Sequence, residues 1–214
     1  MRLFCFSDTH QAPMPICAPE PDAWLFAGDL YNRPSRHILS EADVTFAAET
    51  RLWSTSRAAS VFAVRGNHDT NDRADFFESC NDLSLGDVRK LDDGLYVAGL
   101  GWAGDRYFEL PTETELVERC LRLENKASLL EGRFILLTHY PPFDARTQPA
   151  KLFDDGFFFK CIFELIKALK PIVVVAGHIH DHFGACLEMG GSRVVFPGPV
   201  GKWLSIDGAS VAVD

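Results

Sequence analysis

Six short apolar runs, each closed by glycine or a polar residue, set the limits on what this chain can fold into. They are Leu3 to Phe6, Ala23 to Ala27, Val61 to Val64, Leu95 to Gly99, Phe134 to Thr138 and Ile172 to Ala176. At four or five residues each they are too short for helices, and they are rich in Val, Ile, Leu and Phe, so they predict buried strands. Helix-length stretches lie between them, from Ser35 to Ala59, Thr112 to Leu130 and Phe157 to Leu169. The second opens as TETE, which puts Thr112 in a capping position with acids in the first turn. Strand alternating with helix predicts an α/β layered fold.

After residue 183 the pattern changes. The segments ACLEM, RVVF, KWLSI and ASVAV are separated by Gly and Pro turns, which predicts antiparallel strands without helices. An alternating body closed by a β meander points to two β-sheets packed face to face and flanked by helices, a four-layer α/β/β/α sandwich. The apolar stretch GFFFKCIFELIKALK is expected to cover one sheet by core packing, with a dimer contact as the alternative. With 214 residues and 47% hydrophobic content, one domain spanning residues 1–214 is the expectation.

Acidic residues outnumber basic ones, 30 against 21, for a formal charge of -9, which argues against a broad surface for nucleic acid or anionic membrane. A small anionic substrate stays open, because bound divalent ions reverse the local sign. The six cysteines are scattered with no CxxC pair, the pattern of reduced thiols. Asp8 arrives too early for a signal peptide, and no apolar run reaches the ~18 residues of a membrane span. A cytoplasmic setting is therefore expected, and the oligomeric state is left open.

Metal-type side chains follow five of the expected strands closely. Asp8 and His10 follow the first, Asp29 the second, and Asn67, His68 and Asp69 the third, while His139 and then His178 and His180 follow later ones. The carboxyl ends of parallel strands share one rim in open α/β sheets, so these residues are expected to converge. Imidazoles with carboxylates and an amide oxygen suit divalent transition metals such as Mn, Fe, Zn or Ni. In GHIHDH, an extended backbone would put His178, His180 and His182 on one side.

The motifs SDTH (7–10), GDL (28–30), GNHD (66–69), THYPP (138–142) and GHIH (177–180), in this order, resemble those of the calcineurin-like metallophosphoesterases. The resemblance implies two metal ions, one held by Asp8, His10, Asp29 and His180 and the other by Asp29, Asn67, His139 and His178. Asp29 would bridge the two. The implied reaction is hydrolysis of a phosphate mono- or diester by a metal-bridging hydroxide, with His68 facing the phosphate or leaving group. THYPP is similar to the smaller phosphodiesterase-like members, while GDLYNRP partly echoes the protein-phosphatase and dinucleotide-polyphosphatase branch. There Arg33 matches a phosphate-gripping arginine, and Asn32 stands where that branch has an acid. His182 has no counterpart in the motifs and is expected to be peripheral.

Two other functions compete with this one. A binding scaffold that had lost turnover should show eroded ligand positions, whereas every position matches here. A nuclease for long DNA should carry a basic groove. Asp69 is expected to cap a following helix, with Asp72 and Asp75 as solvated charges. Trp102, Arg106 and Tyr107, in the stretch 99–111, divide evenly between substrate contact and ordinary packing, and the long loop 140–156 is expected to border the site.

Overall fold

The computed structural model describes residues 1–32, 40–69, 76–92, 94–103, 110–142 and 156–214. Among these residues two six-stranded sheets form, and helices cover their outer faces. The first sheet takes β1 (Arg2–Phe6), β2 (Ala23–Phe26), β3 (Ser60–Ala63), β4 (Asn81–Asp82), β11 (Lys202–Asp207) and β12 (Ser210–Val213). Its order is β12-β11-β1-β2-β3-β4. The second takes β5 (Leu85–Asp92), β6 (Leu95–Leu100), β7 (Phe134–Thr138), β8 (Val173–Ala176), β9 (Cys186–Met189) and β10 (Ser192–Val195), in the order β5-β6-β7-β8-β10-β9. The expected four-layer sandwich is the observed one.

Side-chain alternation builds the layers. Leu3 and Cys5 of β1, with Leu25 of β2 and Phe62 of β3, face the second sheet and pack with Val97, Ile135, Leu137, Val173 and Val175. Their neighbours Phe4, Phe6, Trp24 and Phe26 point the other way, under helix α1 (Glu41–Thr55). There Trp53 of α1 meets Trp24 with ring centroids 5.0 Å apart and Phe6 at 5.9 Å. Helices α2 (Glu113–Ala127) and α3 (Gly156–Leu169) cover the second sheet, using Leu116 and Leu123 from α2 and Ile162, Leu165 and Ile166 from α3. Thr112 caps α2 as expected, accepting from the Glu115 N–H while the Glu115 carboxylate accepts from the Thr112 N–H at 2.7 Å.

Several expectations need correction. The tail is not one antiparallel meander: β9 and β10 join the second sheet, β11 and β12 join the first, and β10 runs parallel to β8. Strand β5, the segment LGDVRKLD, was missed because its charged residues break any apolar run; it is an edge strand paired with β6. Helix α1 stops at Thr55, four residues before the expected Ala59, where Thr55 and Ser56 turn their hydroxyls back onto helix carbonyls. Trp102 is fully buried and its Nε1–H donates to Thr138 Oγ1 at 3.2 Å, so it packs rather than facing a ligand. Among the described residues, no helix is long and apolar enough to cross a membrane.

Candidate metal centre

The seven expected ligand residues follow the carboxyl ends of β1, β2, β3, β7 and β8, a rim that runs across both sheets. The two sheets are tied there. His139, after β7 in the second sheet, donates from Nδ1 to Ala27 O in the first at 2.9 Å, and the His178 N–H donates to Asp8 Oδ1 at 3.0 Å. The chain leaves these strands in strained turns. Asp8 (φ 52), His10 (φ 46), Asp29 (φ 60) and His178 (φ 68) all occupy the left-handed region, which side chains with a Cβ adopt at a cost. Such outliers persist where surroundings over-determine them, and four of the seven ligand candidates are among them.

Two motif glycines are explained by what fills their missing side chain. A Cβ on Gly66 would lie 2.1 Å from Asp29 Oδ1, and one on Gly177 would lie 2.5 Å from Asp8 Oδ2. The carboxylates occupy the space that any other residue would need.

Asp29 sits at the centre of the site. Its Oδ2 is 3.3 Å from His139 Nε2 and 3.9 Å from both His10 Nε2 and His68 Nε2, while Oδ1 accepts from the His68 N–H at 2.8 Å. On one side, His180 Nε2 is 3.6 Å from Asp8 Oδ1 and 3.3 Å from His10 Nε2. On the other, Asn67 Oδ1 is 2.9 Å from His139 Nε2 and 3.1 Å from His178 Nδ1. Tyr140 stacks on the His178 ring, with centroids 4.1 Å apart. His68 stands as near to Asp29 as His10 does, and it forms a possible ligand trio with both.

These residues fit a divalent cation on their own geometry. With Nδ1–H directed to the Ala27 carbonyl, a neutral His139 has only a lone pair at Nε2, and that lone pair faces oxygens of Asn67 and Asp29. Such a set of acceptors is held together by a proton or a cation. Asp8 Oδ2 is buried without a hydrogen-bond partner among the described residues. The trios Asp8, His10, His180 and Asp8, Asp29, His139 each bring their donor atoms within 4.8 Å of one another.

Electrostatics agree with this picture. Burial works against a charge on His139, but the Asp29 carboxylate overrides it and pushes the pKa up to about 9. Burial would raise Asp29, yet His139 and His68 hold it well below the usual carboxylate range. Burial, helped by His139, pushes His178 down to about 3, which favours the neutral ring, the form that coordinates a metal. Burial lowers His68 against the pull of Asp29, and interaction with Asp8 raises His180.

Asp69 has a use that the sequence reading did not include. It accepts hydrogen bonds from the backbone N–H groups of Asp29 and Gly66, so its carboxylate is turned to the turns that carry the ligand candidates, while the first turn of the helix it is expected to cap lies outside the described residues. Burial and the nearby Asp29 charge push its pKa up to about 7, while the donated N–H groups oppose the rise. No sequence pattern separates this use from capping, since both need a short acceptor after a turn. Arg33, Asp72, Asp75, Arg106 and Tyr107 lie outside the described residues, as does most of the loop 140–156.

His182 packs edge-on against Phe196 with centroids 5.2 Å apart, and it belongs to none of the ligand trios among the described residues. His182→Ala is expected to keep metal content and kcat/KM within about twofold of the parent, because the half-buried His182 ring packs on Phe196 and not among the ligand candidates. Elemental analysis with steady-state kinetics checks this, and loss of an ion would place His182 in the centre after all.

A model of the calcineurin-like phosphoesterase family matches residues 1–182. A UPF0046 protein of Caenorhabditis elegans is 23% identical over 201 residues, covering 86% of this chain. The chain spans 65% of the length of that curated relative. A crystal structure at 16% identity superposes with a TM-score of 0.67, covering 100% of this chain and 98% of the other. The phosphopantetheinyl hydrolase PptH of Mycobacterium tuberculosis superposes with a TM-score of 0.57 at 16% identity, covering 92% of this chain and 88% of its own. These two likenesses are likenesses of fold. With the family match extending from β1 through the last histidine of the rim, the chain belongs to the calcineurin-like phosphoesterase family.

Proposed function

We propose that this chain is a hydrolase that cleaves phosphate mono- or diesters at a centre of two divalent ions, with residues 1–214 forming one domain. The family and the fold support a metal-dependent phosphoesterase. The observation that carries the finer reading is the position of Asp29, whose carboxylate lies between His10 at 3.9 Å and His139 at 3.3 Å. Asp8, His10, Asp29 and His180 would hold one ion, and Asp29, Asn67, His139 and His178 the other. Divalent ions bound there supply Lewis acidity to the attacking water and to the phosphoryl oxygens. Mn, Fe, Zn and Ni all suit this donor set.

The chain's own residues orient the rest. The Nδ1 hydrogen bonds of His10 to Tyr31 O, at 3.1 Å, and of His139 to Ala27 O, at 2.9 Å, fix each ring with Nε2 aimed inward. His68 is anchored through its own N–H to Asp29, which leaves its imidazole beside the Asp29 carboxylate, where it would stabilise or protonate the departing oxygen of a bound ester. Asn67 would also contact substrate phosphate. Arg33 is proposed to grip it as well, by its four-residue spacing from Asp29. The formal charge of -9 favours a small phosphate ester over extended nucleic acid.

The test is a hydrolysis screen of the metal-free chain, with Mn, Fe, Zn or Ni added singly. Monoesters, cyclic nucleotides, linear diesters and dinucleotide polyphosphates form the panel. Turnover of at least one class only with metal is expected. Binding of these esters with no turnover under any metal would favour the scaffold instead.

A further inference from the structure

We propose that Asp69 is a positioning residue that sets the turn carrying Asp29, a role that rests on the reading of Asp29 as a metal ligand. The Asp69 carboxylate is buried, at 1% exposure, and among the described residues four backbone N–H groups converge on it. Oδ2 accepts from Asp29 at 2.9 Å and from Gly66 at 2.8 Å. Oδ1 accepts from Leu30 at 3.0 Å and from Tyr31, at the long end, at 3.4 Å. Three successive N–H groups arranged in this concave way make an anion site, and the chain fills it with its own carboxylate.

The consequence is geometric. Gly28 (φ 92) and Asp29 (φ 60) are consecutive left-handed positions, an arrangement that a residue bearing a Cβ does not keep without support. Asp69 supplies that support from the far side of the turn. It also joins the Asp29 turn to the Gly66 turn, where the absent Gly66 side chain makes room for Asp29 Oδ1. His68 and Asn67 leave from that same second turn, so one carboxylate fixes the mutual position of Asp29, Asn67 and His68. Asp69 touches neither an ion nor the ester in this scheme. It acts through the backbone.

Asp69→Asn tests the role, because it keeps the shape but turns an amide N–H₂ toward two backbone donors. Titration calorimetry of the metal-free chain with Mn(II) alone is expected to show affinity lowered about tenfold to hundredfold, as for other residues that orient ligands. The Mn(II) electron paramagnetic resonance spectrum should lose its spin-coupled form. With whichever aryl phosphate ester the parent turns over, kcat should fall while KM stays within about twofold. Asp29→Asn runs beside it as the control. If Asp29→Asn binds Mn(II) as the parent does, Asp29 is not a ligand and both readings fall. If Asp29→Asn loses Mn(II) while Asp69→Asn keeps parental affinity, spectrum and kcat, the positioning role alone is overturned, even where the melting temperature drops. Should Asp69→Asn not accumulate as folded protein, Asp69→Glu carries the same comparison, since it keeps the charge but moves both oxygens by one methylene.

Discussion

Asp29→Asn is expected to lower kcat/KM by about a thousandfold, equivalent to about 4 kcal/mol of transition-state stabilisation. The size of the effect follows from the position of this carboxylate, which lies within 3.9 Å of imidazole nitrogens on both sides of the site. An amide offers one neutral acceptor where the carboxylate offers two charged ones, so neither ion would keep its place. The substitution also leaves His139 without the charge that raises its pKa, and the ring reverts toward the neutral state that burial favours. Elemental analysis of the purified variant should give less than one ion per chain. Two retained ions with near-parental turnover would show that Asp29 is not the shared ligand.

His68→Ala is expected to keep its metal and lose about 10²–10⁴-fold in kcat, the range for removal of a positioned acid or base. Burial lowers the His68 pKa against the pull of the Asp29 carboxylate. If His68 protonates the leaving oxygen, an alkyl phosphate ester should slow far more than an activated aryl ester. Equal slowing of the two would assign His68 to charge stabilisation alone. Loss of an ion from the variant would make His68 a ligand, a place that its 3.9 Å approach to Asp29 allows.

The inner strands were legible because both faces are buried. VVVA and the first four residues of FILLT are apolar without interruption, and each strand lies between a second sheet and a helix layer. Strand β5 was not legible, since its place at a sheet edge lets charged residues such as Asp87, Arg89 and Lys90 sit in the ladder. The split of the tail between two sheets was equally hidden. RVVF pairs parallel with VVVA, a long-range choice that no local turn signal records. The ligand positions were visible because each follows a strand within a few residues and the motifs fall in order. The support behind them was not. The use of Asp69 depends on backbone N–H groups about 40 residues away in sequence, and the stacking of Tyr140 on His178 joins two separate strands.

The central claim is tested most directly by adding Mn(II) in steps to the metal-free chain while following hydrolysis of p-nitrophenyl phosphate and bis(p-nitrophenyl) phosphate. No turnover is expected without metal, followed by a rise that levels off at two ions per chain. Full turnover in the presence of a chelator, or a plateau reached at one ion, would contradict a two-ion phosphoesterase centre.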